Sequence, residues 1–282
     1  MKKLVAGALL ASFAPAAAIA ADLPRRSPAV APAPAFVAAP VWSGFYAGVN
    51  AGYAFDASTR ANTIGTTAFQ TLVPLYAPSS LSVGGEGFIG GAQAGYNWQS
   101  GSFVFGLETD IQYIDASGGS AYTGAALAIP GVGTTSTLTT SANAKLDYIG
   151  TVRARAGVAF GSAFVYATGG LAYGGTKLTA SVVPDSLPVA NWRGSSSSTA
   201  VGWTLGGGLE YMLNRNFSVK AEYLYYDLGD ETVAALGNST VRNVRELDRI
   251  DYVAKADFTG SIVRVGLNYR FGGAPAPVVA RY

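Results

Sequence analysis

Apolar and polar positions alternate with a period of two in repeated segments from Trp42 onward. In Phe45–Phe55, Phe, Ala, Val, Ala, Tyr and Phe occupy one set of alternate positions, and Tyr, Gly, Asn, Gly and Ala occupy the other. This pattern predicts a β-strand with one apolar face. The same alternation predicts seven further strands, at Gly87–Trp98, Phe103–Asp115, Lys145–Val158, Phe164–Gly175, Val201–Met212, Phe217–Asp227 and Thr259–Phe271. Each has about the length that crosses a bilayer, roughly 9–11 residues with some overhang.

The connections between these strands alternate between short and long. Tight turns are predicted at Gln99–Ser102, Ala159–Ala163 and Leu213–Asn216. Long loops are expected in the intervals 56–86, 116–144, 176–200 and 228–258. Structureless loops of this length are uncommon in compact soluble domains, whereas outer-membrane barrels pair short periplasmic turns with long extracellular loops. The pattern therefore predicts an all-β fold, an eight-stranded antiparallel up-and-down transmembrane β-barrel with long extracellular loops and both termini in the periplasm.

Charged residues fall on the strand faces opposite the apolar ones. Five acids and five bases share these faces with many glycines: Glu108, Asp110, Asp147, Arg153, Arg155, Glu210, Lys220, Glu222, Arg264 and Arg270. In the core of a soluble sandwich, each ion would lose several kcal/mol of hydration free energy. A small barrel can pair such charges in a polar interior, where glycines leave room for long side chains. We therefore predict that these ten residues form a charge network that plugs the lumen.

The N-terminal region has the features of an export signal. A basic start, an apolar run from Leu4 to Ile19 and small residues at Ala18 and Ala20 predict a secretory signal peptide. Its removal would leave equal numbers of acidic and basic side chains, 17 of each. The predicted organisation is a signal peptide at residues 1–20, a Pro/Ala-rich periplasmic linker at 21–41, the outer-membrane barrel at 42–271 and a C-terminal tail at 272–282.

Composition restricts the chemistry that the chain can perform. The 282 residues contain neither His nor Cys, which excludes Ser-His-Asp and Cys-His nucleophiles and zinc sites of the usual kind. Only 13% of the residues are charged, and the formal net charge is +2, too small to attract nucleic acid. Glu108 and Asp110 are expected to belong to the lumen network and not to an acid–base pair, because neighbouring arginines keep carboxylates ionised. We expect no enzyme activity, no cofactor and no metal.

Several segments carry a family resemblance. They are Trp42–Gly48, Asn50–Tyr53, Gly87–Gly91, Gln93–Trp98, Asp147–Arg155, Tyr166–Gly174, Gly202–Thr204, Glu210–Tyr211, Lys220–Gly229 and Val263–Phe271. With these segments the chain resembles the small outer-membrane proteins of alphaproteobacteria, a family with an OmpA-like eight-stranded barrel whose members are described as porin-like or immunodominant surface proteins. The resemblance implies export across the inner membrane and residence in the outer membrane.

The resemblance also implies partners and an assembly signal. The expected partners are outer-membrane lipid and lipopolysaccharide, the barrel-assembly machinery, peptidoglycan or host surfaces, and further copies of the chain in a homo-oligomer. Barrels of this kind end in an aromatic residue that the assembly machinery reads, and either Phe271 or Tyr282 can serve here. The charged residues of the fourth interval, Arg242 to Lys255, are expected to be a solvated loop, with lipopolysaccharide phosphates as the alternative contact.

Three functions remain open at this point. The favoured one is a structural role in envelope integrity and surface interaction, with a lumen plugged by paired charges. The first alternative is a small or gated porin for small solutes. The second is an adhesin or receptor that acts through the long loops.

Overall fold

A computed structural model describes residues 41–65, 80–124, 127–128, 135–185, 190–239 and 252–271. The predicted signal peptide, the linker apart from Val41, the tail and Tyr282 lie outside these described residues. Among the described residues, no helix is long and apolar enough to cross a membrane.

Eight long antiparallel strands form a closed barrel. The strands of the chain are β1 (Gly44–Gly65), β2 (Ser80–Ser100), β3 (Phe103–Thr123), β4 (Leu127–Ala128), β5 (Thr135–Ser136), β6 (Leu138–Phe160), β7 (Ala163–Pro184), β8 (Ala190–Met212), β9 (Phe217–Ser239) and β10 (Tyr252–Arg270). The order around the ring is β1-β10-β9-β8-β7-β6-β3-β2, and β4 pairs only with β5. Pairing of β1 with β10 closes the ring, so the predicted eight-stranded up-and-down barrel is confirmed. Closure leaves neither the first nor the last strand with an open edge.

The three predicted turns are confirmed. Gly101 and Gly161 adopt positive φ angles of 60° and 59° in two of them, a conformation that glycine reaches without steric cost. In the third, Asn214 Oδ1 accepts hydrogen bonds from the backbone N–H groups of Asn216 and Phe217, each at 2.9 Å. These turns lie at one end of the barrel, which we call the turn end; the opposite end is the loop end.

The prediction of long loops was wrong for much of their length. All four intervals contain strand residues that extend the barrel beyond the predicted segments, and the eight barrel strands have 19 to 23 residues. These extensions were not predicted because strands were located by an apolar outer face, and no lipid faces the extensions. Ser195–Thr199 in β8, for example, is polar at every position. The ladder continues there because the neighbouring strand continues, as Lys177–Thr179 pairs with Ser195–Ser197.

The outer wall is apolar and has aromatic residues at both ends of its apolar band. Towards the turn end these are Phe45, Tyr96, Trp98, Phe103, Phe217, Tyr269 and Phe271; towards the loop end they are Tyr53, Phe88, Tyr113, Tyr148, Tyr173, Trp203 and Tyr223. Adjacent rings touch, with centroids 4.5 Å apart for Phe45 and Tyr96 and 5.3 Å apart for Tyr53 and Phe88. Two aromatic girdles around an apolar band are typical of a barrel that spans a membrane.

Candidate functional site

An ion cluster fills the middle of the barrel interior. Its members are Glu108 and Asp110 from β3, Arg153 and Arg155 from β6, Glu210 from β8, Lys220 and Glu222 from β9, and Arg264 from β10. Residues at i and i+2 on a strand point to the same face, which is why three of the strands contribute pairs. Every member is at most 3% exposed. Four acids face four bases, so the ion cluster has no formal net charge.

Arg153 connects three of the four carboxylates. Its Nη2 lies 2.5 Å from Glu108 Oε1 and 2.8 Å from Asp110 Oδ2, and its Nη1 lies 3.0 Å from Glu222 Oε1. Thr151 orients the guanidinium by accepting a hydrogen bond from Nε at 2.9 Å. The Arg153 side chain on β6 thereby connects β3 with β9.

Glu108 is the corresponding acceptor for several cations. Lys220 Nζ lies 2.7 Å from Glu108 Oε1, and the Tyr46 hydroxyl donates to Glu108 Oε2 at 2.7 Å. Arg155 Nη1 lies farther from Glu108, at 3.4 Å, and pairs more closely with Glu210, at 3.0 Å. The Arg155 guanidinium also lies 4.5 Å from the centre of the Tyr46 ring, a cation–π contact.

Arg264 links the ion cluster to the strand that closes the barrel. Its Nη2 lies 2.5 Å from Glu222 Oε2 and 2.9 Å from Asp110 Oδ2, while Nε donates to Glu222 Oε2 at 2.7 Å. Opposite it in the ladder is Gly52, where an added Cβ would lie closest to the Val263 carbonyl oxygen and 2.7 Å from Arg264 Cα and Cβ. Glycine at this position lets the backbones of β1 and β10 approach closely beside the base of the Arg264 side chain.

A chain of three amide side chains, which was not among the predicted site residues, extends the network towards β1. Asn268 Nδ2 donates to Glu210 Oε1 at 2.9 Å, and Gln93 Nε2 donates to Asn268 Oδ1 at 2.6 Å. Asn50 Nδ2 then donates to Gln93 Oε1 at 3.0 Å. Asn268 has the same parity as Arg264 and Arg270 on β10, whereas Asn50 and Gln93 have the parity of the glycines on β1 and β2, such as Gly52 and Gly91. The two-residue period therefore contained a signal for these uncharged polar residues as well.

Asp147 was predicted to face the lumen, and this prediction was wrong. Its side chain is 50% exposed and lies 2.8 Å from Lys145 Nζ on the outer surface. The ladder between β6 and β7 pairs Leu146 with Thr176 and Tyr148 with Gly175, so Asp147 is the additional residue of a β-bulge. A bulge reverses the alternation of faces, and counting in steps of two from Arg153 therefore gives the wrong side.

Arg270 faces the interior as predicted but lies outside the ion cluster. Among the residues that the structure describes, it makes no ion pair; its Nη1 lies 3.1 Å from Met212 Sδ, and its Nη2 donates to the Val41 carbonyl. The reason is its position at the end of β10, one residue before Phe271, next to the chain entering β1. The five-against-five balance of the sequence analysis is thus a four-against-four balance in the structure.

An apolar turn-end layer closes the interior on one side of the ion cluster. It consists of Trp42, Val104, Ala159, Phe164, Tyr166 and Met212. Trp42 is fully buried, its backbone N–H donates to Gln99 Oε1 at 2.6 Å, and its Nε1 donates to the Gly161 carbonyl at 3.3 Å. Trp42, two residues before β1, is thereby fixed to two of the turns.

A larger apolar loop-end layer lies on the other side of the ion cluster. The prediction that the barrel interior is polar along its whole length was therefore wrong. It includes Leu81, Val83, Ile89, Ile114, Leu146, Ile149, Leu178, Leu224, Leu228, Val233, Phe258 and Ile262. About half of these residues lie in intervals that were expected to be loops, so their inward-facing side chains were not counted with the barrel interior. The described lumen therefore has three layers: the ion cluster lies in the middle one, and Arg270 contacts Met212 of the turn-end layer.

This arrangement connects strands across the barrel interior through ion pairs. Each carboxylate of the ion cluster lies within 3.0 Å of an arginine or lysine nitrogen. Within the described ranges, no group of three or more acidic side chains is placed to hold a metal ion. A closed ring of eight membrane-length strands, aromatic girdles and a filled, ion-paired interior define the class of transmembrane β-barrel proteins.

Comparison with known proteins identifies the family and the membrane. The chain belongs to the outer membrane protein β-barrel domain family, whose sequence model matches residues 6–271. It is 39% identical over 273 residues to the 31 kDa outer-membrane immunogenic protein of Brucella melitensis, an alignment that covers 96% of this chain and 100% of that protein. It is 29% identical over 269 residues to the 25 kDa outer-membrane immunogenic protein of Brucella abortus, covering 95% and 97%.

Among solved structures, the outer membrane protein OprG from Pseudomonas aeruginosa aligns with 82% of this chain and 98% of its own, at 11% identity and a TM-score of 0.38. The family and the relatives establish that the chain is an integral protein of the outer membrane, as the sequence resemblance implied. In barrels of this class the short turns face the periplasm and the longer loops face the cell surface.

Proposed function

We propose that this protein is a sealed, non-catalytic component of the outer membrane that carries a barrel extension at the cell surface. The observation that supports sealing is the filled lumen, in which the ion cluster lies between two apolar layers. Ion pairs such as that of Arg153 with Glu222 connect strands that are not neighbours in the barrel wall. Solute passage would require these pairs to separate inside a low-dielectric interior, which is costly.

Planar-bilayer recording with the full-length protein purified from outer membranes tests the sealed lumen against the porin alternative. We expect no steady unitary currents from the wild-type protein, with a general porin in the same bilayer as the positive control. Steady channels whose conductance changes in Glu108→Gln or Arg153→Met protein would overturn the proposal and support a pore.

The absence of catalysis is part of the same proposal. The chain contains no histidine, and Glu108 and Asp110 both lie within 2.8 Å of cationic nitrogens of their neighbours. A carboxylate held in this way is a poor general acid, because its partners favour the ionised form. These observations favour a structural use of the carboxylates.

Surface display is the second half of the proposal, and strand length supports it. The barrel strands have 19 to 23 residues, about twice the roughly 9–11 residues that span a bilayer. Because the turn end carries tight turns and a girdle close to them, the additional strand residues lie at the loop end. The Brucella relatives are named immunogenic, which is consistent with a surface that antibodies reach.

Epitope insertion tests this orientation. An epitope inserted after Asp185, which follows β7, is expected to bind antibody on intact cells. A matched insertion after Ser162, in the tight turn between β6 and β7, is expected to bind only after the outer membrane is permeabilised. The reverse labelling pattern would overturn the proposed orientation. Contacts with peptidoglycan, host surfaces, the barrel-assembly machinery or other copies of the chain stay predictions.

A further inference from the structure

Two lysines face each other on the outer wall of the barrel at the loop end. Lys145 on β6 and Lys177 on β7 are direct partners in the ladder. Both point outward, because the residues on either side of them, including Leu146 and Leu178, are buried. Like charges directly opposite each other destabilise a sheet unless an anion lies between them.

Part of the positive charge is already balanced. Asp147 Oδ1 lies 2.8 Å from Lys145 Nζ. Among the described residues, no carboxylate lies within ion-pairing distance of Lys177. Lys177 therefore contributes a positive charge to the outer wall that no carboxylate of the described residues pairs with.

A cavity lies at this point of the wall. Its volume is about 320 Å³, and its lining includes Gly119, Asn143, Lys145, Lys177 and Thr179; we call it the lysine groove. Gly119 leaves space for the Asn143 side chain, since an added Cβ at Gly119 would lie 2.2 Å from Asn143 Oδ1. The groove thus combines two ammonium groups with an amide and a hydroxyl, all of which donate hydrogen bonds to phosphate oxygens.

The position of the lysine groove relative to the loop-end girdle indicates where in the membrane a ligand would lie. Lys145 lies three residues from Tyr148 in the direction of the loop end, about 10 Å along β6. Lys177 lies four residues from Tyr173 in the same direction, about 13 Å along β7. Tyr148 and Tyr173 belong to the loop-end girdle, so the groove lies in the polar layer just outside the hydrocarbon. Farther down the same two strands, past Tyr148 and Tyr173, Val152 and Leu171 are exposed on the apolar face.

We propose that the lysine groove binds a phosphate group of an outer-leaflet glycolipid, whose acyl chains lie along the apolar face of β6 and β7. The lipid is preferred to a soluble anion because phosphate-binding groups and lipid-facing residues form one continuous surface on the same strands. A cation near a membrane surface contributes about 1 kcal/mol to the binding of anionic lipid, which corresponds to about a fivefold change in affinity.

The test is a titration of the full-length protein, purified from outer membranes and freed of lipid, with lipid A that carries two phosphates. Native mass spectrometry reports the bound fraction. We expect Lys177→Gln to lower the affinity about fivefold and Lys145→Gln with Lys177→Gln to lower it further. Asp147→Asn is expected to raise the affinity, because it removes a carboxylate that pairs with Lys145.

Arg215→Gln is the control. Arg215 is also an exposed cation, but it lies in the turn Leu213–Asn216 at the turn end and does not line the groove. Heat-modifiable mobility on gels confirms that each variant is folded. Lipid A without phosphates is expected to bind all variants equally and more weakly.

Two results would overturn the proposal. One is equal binding of diphosphorylated lipid A by Lys177→Gln, Arg215→Gln and wild-type protein. The other is binding of inorganic phosphate with the same affinity as the lipid, which would assign the groove to a free anion.

Discussion

Arg153 and Glu222 are 69 residues apart in the sequence, yet Arg153 Nη1 and Glu222 Oε1 lie 3.0 Å apart. Their strands, β6 and β9, are separated in the barrel wall by β7 and β8. The pair therefore crosses the lumen, whereas ladder hydrogen bonds connect only adjacent strands. Removing one partner leaves a buried charge without its counter-ion, and this is the basis of the first prediction.

Arg153→Met is expected to lower the free energy of unfolding by about 3–5 kcal/mol, because it leaves buried carboxylates unpaired. Urea titration of the protein in lipid vesicles measures the effect. Adding Glu222→Gln is expected to restore part of the loss, since it removes one of those stranded charges. Lys255→Met, in an exposed ion pair, is the control and should cost about 0–1 kcal/mol. Equal stability of the Arg153 and Lys255 variants would contradict this prediction.

Trp42→Ala is expected to destabilise the periplasmic end of the barrel. The indole is fully buried and lies 5.2 Å from the Phe164 ring, so its removal leaves a cavity in the turn-end layer. The expected loss is about 3–5 kcal/mol in the same urea titration. The adjacent Val41 is 61% exposed, and Val41→Ala should change stability by no more than about 0.5 kcal/mol. A Trp42 variant as stable as the Val41 variant would show that the turn-end layer contributes little.

Two glycines of β2 provide a matched test of interior space. An added Cβ at Gly95 would lie 2.2 Å from Tyr46 Oη and 2.5 Å from the Leu107 carbonyl oxygen, whereas one at Gly90 would meet nothing nearer than 3.8 Å. Gly95→Ala should therefore cost about 1–3 kcal/mol through overpacking. Gly90→Ala should stabilise by about 0.4–1 kcal/mol through the lower entropy of the unfolded chain. Indistinguishable variants would refute the requirement for space beside Tyr46.

Phe271 is predicted to be the residue that the assembly machinery reads. It follows β10 directly, its N–H donates to the Phe45 carbonyl at 2.8 Å, and its ring is exposed and packs 5.1 Å from Tyr269. A chain that ends at residue 271 is expected to reach the outer membrane and to show heat-modifiable mobility on gels. The full-length Tyr282→Ala variant is expected to behave in the same way. Full-length Phe271→Ala is expected to accumulate unfolded. Normal assembly of Phe271→Ala together with failure of Tyr282→Ala would identify Tyr282 instead.

Much of the fold was predictable because lipid imposes the same requirement on every strand. Each spanning segment needs an apolar outer face, so alternation alone located the eight strands and their turns, as at Phe45–Phe55. Outside the lipid this requirement disappears. The extensions of β7 and β8 at Lys177–Thr179 and Ser195–Ser197 therefore look like loops in the sequence, although they form a regular ladder.

The charged interior was only partly predictable. Alternation placed eight of the ten proposed side chains in the ion cluster, because they lie within uninterrupted stretches of their strands. It failed at Asp147, where a bulge reverses the faces, and at Arg270, where the strand ends beside Val41. The alternation of apolar and polar residues does not show where a bulge occurs. It also does not show which residues lie next to the end of a strand.

The local pattern of this chain establishes its class, a barrel with a lipid-facing exterior, charged residues inside and tight turns on one side. Only the closed ring decides which charges meet, because the stagger of the strands brings Arg153 to Glu222 and Arg264 to Asp110 across long stretches of sequence. The same closure gathers Leu81, Leu178 and Val233 into an apolar layer above the ions. Residues in one layer of the lumen come from strands that are far apart in the sequence. The spacing of these residues in the sequence therefore does not show that they lie at the same depth of the barrel.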